Sequence, residues 1–200
     1  MKGYHGRGYL PHFDVTNLYQ HVCFHLSDSI PRHLIGRLLA DLEKIPDSKR
    51  HQAKSVRIAA WMDNGYGCCA LKVHSIADQM QSILLLDHEK RYFLRAWVIM
   101  PNHVHCLVKT LPGYELSSIV GGWKRRSVLP INEYLIAMGK VPLSPVWQRE
   151  YFDRYIRNEK HFMNVISYIH NNPVKAGLTF RPERWRWSSA RVLSDAEPRV

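Results

Sequence analysis

The stretch that decides the fold is Phe93-Leu94-Arg95-Ala96-Trp97-Val98-Ile99-Met100-Pro101-Asn102-His103-Val104-His105-Cys106-Leu107-Val108. An apolar run meets a Pro-Asn turn signal and resumes as an alternating run, which predicts two antiparallel strands joined by a tight turn. Strand side chains alternate faces, so His103 and His105 point one way while Val104, Cys106 and Val108 point to the core. The two imidazoles are expected to converge on one exposed spot.

A second stretch, Tyr168-Ile169-His170-Asn171-Asn172-Pro173, lies in a segment of helical spacing. Phe162, Val165, Ile166 and Ile169 recur at three and four residues and predict an inward apolar stripe. Tyr168 and Asn172 are four apart and share a helix face. Pro173 disfavours helical backbone at Asn172, so the amide is expected at or just past the last turn. The two stretches together offer a phenol, an amide and two imidazoles.

Outward from these, Tyr19 to Leu26 alternates as a strand, with His21 and His25 sharing a face. They read as solvated or hydrogen-bonded strand positions rather than metal ligands. Pro31 opens a helix whose stripe is Leu34, Ile35, Leu38, Leu39 and Leu42, and which ends near Lys44. A second helix is expected from about Ser55 to Asp63, a short strand or edge from Cys68 to Val73, and a third helix from Ile76 to Leu86. Another helix begins about Leu116, Pro142 to Pro145 forms a linker, and an aromatic, charged segment spans Trp147 to Arg157. Mixed elements around an antiparallel hairpin define an α+β fold. Residues 1–18 read as an extended arm, 19–179 as the main domain, and 180–200 as a basic, Trp-rich tail.

The 200 residues carry a formal charge of +11 and a pI near 9.7, a balance that attracts polyanions. In Trp123-Lys124-Arg125-Arg126 the cations suit phosphates and the indole suits stacking on a base. The alternative for this run is a solvated helix face with Trp123 in the core. Trp185 and Trp187, interleaved with arginine, serve either stacking or docking of the tail. Cys23, Cys68, Cys69 and Cys106 show no C-x-x-C pair and read as reduced thiols, with a vicinal Cys68–Cys69 disulfide the alternative. No signal peptide or membrane-length apolar run is present, so the expected location is cytoplasmic, nucleoid-associated.

His-Val-His after Met-Pro-Asn, with Tyr-x-x-x-Asn-Pro-Val-Lys-Ala-Gly later, resembles the HUH single-tyrosine transposases, specifically the REP-associated tyrosine transposases. Further likeness lies in Gly8 to Asp14, Trp97 to His105, Val146 to Arg154, and Trp185 to Ser189. The resemblance implies a ferredoxin-like, RRM-like antiparallel sheet with helices packed on one face and the catalytic tyrosine on a C-terminal helix. It also implies cleavage and rejoining of single-stranded DNA at hairpin, REP-type palindromes through a 5′-phosphotyrosine intermediate at Tyr168. His103, His105 and Asn172 are then the ligands of Mg²⁺ or Mn²⁺, with Asn171 and His170 as fallbacks if the register slips. Lys124, Arg125, Arg126, Arg149, Arg154 and Arg186 become DNA contacts, and the protein is a monomer or homodimer without membrane partners.

Rival readings follow from the same residues. Spacing leaves Tyr151 and Tyr155 open as nucleophiles. A non-cleaving hairpin-binding protein needs no phenol aimed at a histidine pair. A zinc hydrolase would want H-x-H-x-D-H, but Leu107, Val108 and Lys109 follow here. A plasmid-type initiator often has a second tyrosine, yet Tyr168 is the only one after Arg157.

Overall fold

The central hairpin forms as its alternation predicts: β4, Tyr92–Ile99, pairs antiparallel with β5, His103–Thr110. The computed structural model describes residues 4–6, 11–13 and 17–191. Before the hairpin come β1 (Tyr4–Gly6), β2 (Pro11–Phe13), β3 (Tyr19–His25), α1 (Arg32–Glu43), α2 (Asp47–Asp63) and α3 (His74–Leu85). After it come α4 (Leu116–Ala137), β6 (Phe152–Tyr155) and α5 (Glu159–Lys175). The main sheet is wholly antiparallel, in the order β4-β5-β3-β6. An α+β domain on one four-stranded antiparallel sheet is the expected class.

Alternation sorts the sheet into two faces. Val22, Phe24, Val104, Cys106 and Val108 face α3 and α4, meeting Ile76, Met80, Leu84, Val120 and Trp123 in the main core. The other face carries Ala96, Val98, Met100 and Leu107, and α5 lays Val165, Ile166 and Ile169 across it. A bulge between Leu94 and Ala96 shifts β4 by one residue, so Leu94 and Trp97 both reach the main core.

Several local expectations change. Part of the supposed arm is a small antiparallel ribbon, β1 with β2, while the rest of it lies outside the described residues. The second helix starts eight residues early, at Asp47 behind Pro46. Ala70–Lys72 is a 3-10 turn rather than a strand, because Cys69 in the left-handed region (φ 49°) breaks extended backbone. The start of the tail is part of the fold: Ser188 bridges Val98, and Ile99 N–H donates to the Trp187 carbonyl at 2.9 Å. Trp187 is buried and its indole donates to Asp78 at 2.8 Å, so of its two readings docking is the one realised. All four cysteines are free thiols.

α5 also runs further than Pro173 suggested, to Lys175. The missing proline N–H releases only the Ile169 carbonyl, within the last two turns. The end is then closed by Gly177 at φ +68°, with Leu178 N–H donating to the Pro173 carbonyl and Gly177 N–H to that of Val174. Asn172 is therefore a fully helical residue whose side chain has a fixed direction.

Candidate active site

On β5, His103 and His105 share a face, with ring centroids 4.9 Å apart. They are not on an exposed spot: His103 is 1% and His105 3% exposed, because α5 covers this face of the sheet. Tyr168 projects from that helix, 37% exposed, its ring edge-on to His105 at 5.5 Å and to His21 at 5.7 Å. One turn on, Asn172 is 1% exposed. Tyrosine, amide and both imidazoles do come together.

Hydrogen bonds fix the orientation of these groups. Asn102 donates from Nδ2 to the Tyr66 carbonyl at 3.0 Å, which turns its Oδ1 toward His103. His103 Nδ1 lies 2.7 Å from that oxygen and must donate to it, so the lone pair is left on Nε2. Asn172 Nδ2 donates to the Tyr168 carbonyl at 3.0 Å, which leaves Oδ1 as the free end of its amide. His103 Nε2 and Asn172 Oδ1 are both buried without a hydrogen-bond partner among the described residues.

Two buried acceptors of this kind suit a cation with nitrogen and oxygen preference, and the donor set fits a divalent ion. Among the described residues no cluster of three or more His, Cys, Asp or Glu could hold a metal. The amide oxygen of Asn172 is a further donor, of a type outside that count. Asn171 points its amide back to Ser167, exposed, and His170 Nε2 is tied to Ser189 Oγ at 2.8 Å. Neither fallback faces the pair.

Burial keeps the rings neutral. Burial lowers His103 to about 3, with His25 and Lys175 adding to the effect. Burial likewise holds His105 well below its ordinary value and lowers His21 to about 4. Neutral imidazoles keep the lone pairs that metal ligands need. Burial pushes the Tyr168 phenol up to about 12.

β3 supplies what the sequence reading left aside. His21 is buried and places Nε2 3.1 Å from His105 Nδ1, a hydrogen-bonded strand position rather than a solvated one. His25 Nδ1 meets Ser29 Oγ at 2.6 Å. Lys175, seven residues after Tyr168, pairs with Asp63 at the end of α2 at 3.0 Å. Asn102 directly precedes His103 in the Met-Pro-Asn-His run, and that adjacency is the sequence signal for its contact with the ring.

The rival tyrosines are on the wrong side. In β6, Arg154 pairs across from His21 and Phe152 from Cys23, so Tyr155 alternates to the opposite face, opposite Gln20. Tyr151 packs against the main core.

The cations expected to bind DNA separate as well. Trp123 is 1% exposed and donates to the Tyr92 hydroxyl, so it cannot stack on a base. Lys124 Nζ donates to the carbonyls of Gln148, Arg149 and Glu150 at 2.8, 3.2 and 3.3 Å, which commits all three of its protons to a loop. Those partners lie 24 to 26 residues further along the chain. Arg126 pairs with Asp87 and Arg186 with Asp78, on the side of α3 and α4. Arg125, Arg149 and Arg154 are exposed, and Arg154 stands on the histidine face.

A helix-borne tyrosine thus stands over a histidine pair on a four-stranded antiparallel sheet. The chain belongs to the IS200-like transposase family, whose model matches residues 71–172. It is 28% identical over 108 residues to the REP-associated tyrosine transposase of Escherichia coli strain K12, across 54% of this chain and 60% of that protein. The match thus spans less than two thirds of that relative. An uncharacterized protein of Haemophilus influenzae is 26% identical over 163 residues, covering 89% of its length and 62% of this chain. The fold resembles a solved REP-associated tyrosine transposase bound to a REP hairpin, with TM-score 0.57 and 18% identity over 96% of this chain and 88% of that one.

Proposed function

We propose that this chain cuts and rejoins single-stranded DNA at hairpin, REP-type palindromes through a 5′-phosphotyrosine link at Tyr168. The observation that carries the reading is the Tyr168 ring set across His105, beside two buried acceptors without a partner among the described residues, His103 Nε2 and Asn172 Oδ1. The hairpin substrate rests on the likeness to REP-associated relatives, one of them solved with a REP hairpin.

A phosphodiester is already anionic, so its attack needs a nucleophile, positive charge and rigid placement. Placement comes from α5, packed through Val165, Ile166 and Ile169 and locked at its end by Gly177. With the phenol raised to about 12, the hydroxyl keeps its proton at neutral pH until positive charge gathers at the phosphate. Mg²⁺ or Mn²⁺ held by Nε2 of His103, Nε2 of His105 and Oδ1 of Asn172 would supply that charge and polarise a phosphate oxygen.

In cleavage, Tyr168 Oη gives up its proton and bonds to phosphorus as the P–O3′ bond breaks, and the departing 3′ oxygen takes a proton. In rejoining, a 3′-hydroxyl attacks the tyrosyl phosphate and Tyr168 leaves as the phenol. The ester bond is conserved in the link, so no nucleoside triphosphate is consumed. Arg154, on the same face, suits a backbone phosphate of the strand that approaches over β6.

The test is incubation with an end-labelled hairpin oligonucleotide carrying single-stranded flanks, in Mn²⁺, and denaturing gels read for a covalent adduct. An adduct lost both in Tyr168→Phe and in chelator supports the assignment. Hairpin binding with no adduct across several sequences would hand the reading to a non-cleaving hairpin-binding protein, and an adduct that persists in Tyr168→Phe would remove Tyr168 as nucleophile.

A further inference from the structure

We infer that His21 is a positioning residue that fixes the tautomer of His105, leaving its Nε2 unprotonated toward the open side of the site, an inference that rests on the ligand role proposed for His105. His103 has its tautomer set by Asn102, itself oriented by the Tyr66 carbonyl. Among the described residues the Nδ1 of His105 meets neither carbonyl nor amide. Its partner is a second imidazole, His21 Nε2 at 3.1 Å.

Two neutral rings share one proton across that contact. If His105 Nδ1 carries it, His21 Nε2 accepts, and the His105 Nε2 lone pair is free to bind a cation. If His21 Nε2 carries it, His105 Nε2 is protonated and cannot. The first arrangement is the one a ligand requires, and only an acceptor at position 21 supports it.

Packing holds the acceptor in place. The His21 and His105 rings stack at 5.2 Å with an interplanar angle of 27°, and Phe152 closes on His21 edge-on at 5.8 Å. The same His21 ring meets Tyr168 edge-on at 5.7 Å, so one side chain braces ligand and nucleophile together. Packing alone could be met by leucine. The hydrogen bond could not.

The test reads the tautomer directly, by long-range ¹⁵N–¹H correlation of the histidine rings in chelator-treated protein at neutral pH. Expected is His105 protonated at Nδ1 in the wild type and in His21→Gln, whose amide oxygen also accepts, but a mixture with the Nε2–H form in His21→Leu. Mn²⁺ binding followed by electron paramagnetic resonance should weaken about 10–100-fold in His21→Leu and stay near wild type in His21→Gln. Adduct formation by His21→Leu should recover at saturating Mn²⁺. A wild-type His105 protonated at Nε2 overturns the inference without any variant, as does His21→Leu with an unchanged tautomer and Mn²⁺ affinity within twofold. The tautomer does not depend on whether DNA is cut, so a failed cleavage assay and a failed role for His21 are told apart.

Discussion

Acid should unfold this protein through its buried histidines before the carboxylates come into play. His21 and His25 are lowered to about 4 and His103 to about 3, chiefly by burial, against an ordinary 6.5. Between those values the unfolded chain binds protons that the native chain refuses. Stability is therefore complete above pH 6.5 and is lost as pH falls toward 4. At pH 5, about 1.5 units below the ordinary value, each ring costs roughly 2 kcal/mol, so three cost about 6 kcal/mol. That compares with about 5–15 kcal/mol for a whole domain, and His105 pushes the same way. Near pH 5 the slope should approach three protons, about 4 kcal/mol per pH unit. Urea unfolding followed by tryptophan fluorescence, in chelator from pH 7.5 to 4.5, measures it. A slope below about 1.4 kcal/mol per unit, less than one proton, would refute the picture of rings sealed between sheet and α5.

Other outcomes follow from single contacts. Lys124→Met strips three carbonyls of their donor and should cost about 2–3 kcal/mol in urea unfolding, while leaving the salt slope of hairpin binding unchanged. Arg154→Ala should lower that slope by about 0.7, the value for one phosphate on a single strand, whereas Arg186→Ala, already paired with Asp78, should not. Gly67→Ala places a Cβ 2.7 Å from the Asp28 carbonyl oxygen at φ +87°, and should lower the melting temperature by several degrees, the effect of roughly 1–2 kcal/mol. Gly67 also follows the Tyr66 carbonyl that orients Asn102, so adduct yield should fall in the variant at temperatures where it remains folded.

What the sequence made legible lies within elements, and what it hid lies between them. Alternation in β5 put His103 and His105 on one face, and four-residue spacing put Tyr168 and Asn172 on another, because each follows from the geometry of one strand or one helix. The depth of the pair was missed, although a signal existed. Ala96, Val98, Met100 and Leu107 give that face an apolar surface that needs a cover, and the stripe of α5 needs a partner. Trp123 could have been assigned to the core by the same logic, since Ile119, Ser127 and Ile131 continue its stripe at four-residue steps. Lys124 could not, because nothing near it in the chain announces carbonyls two dozen residues on. His21 is the extreme case: its contact with His105 spans 84 residues and depends on the register of β3 against β5, where Cys23, not His21, lies directly opposite His105. Only a diagonal reach across the ladder joins the two rings. No periodicity in either strand encodes it, so the residues that aim the site are harder to read than those that form it.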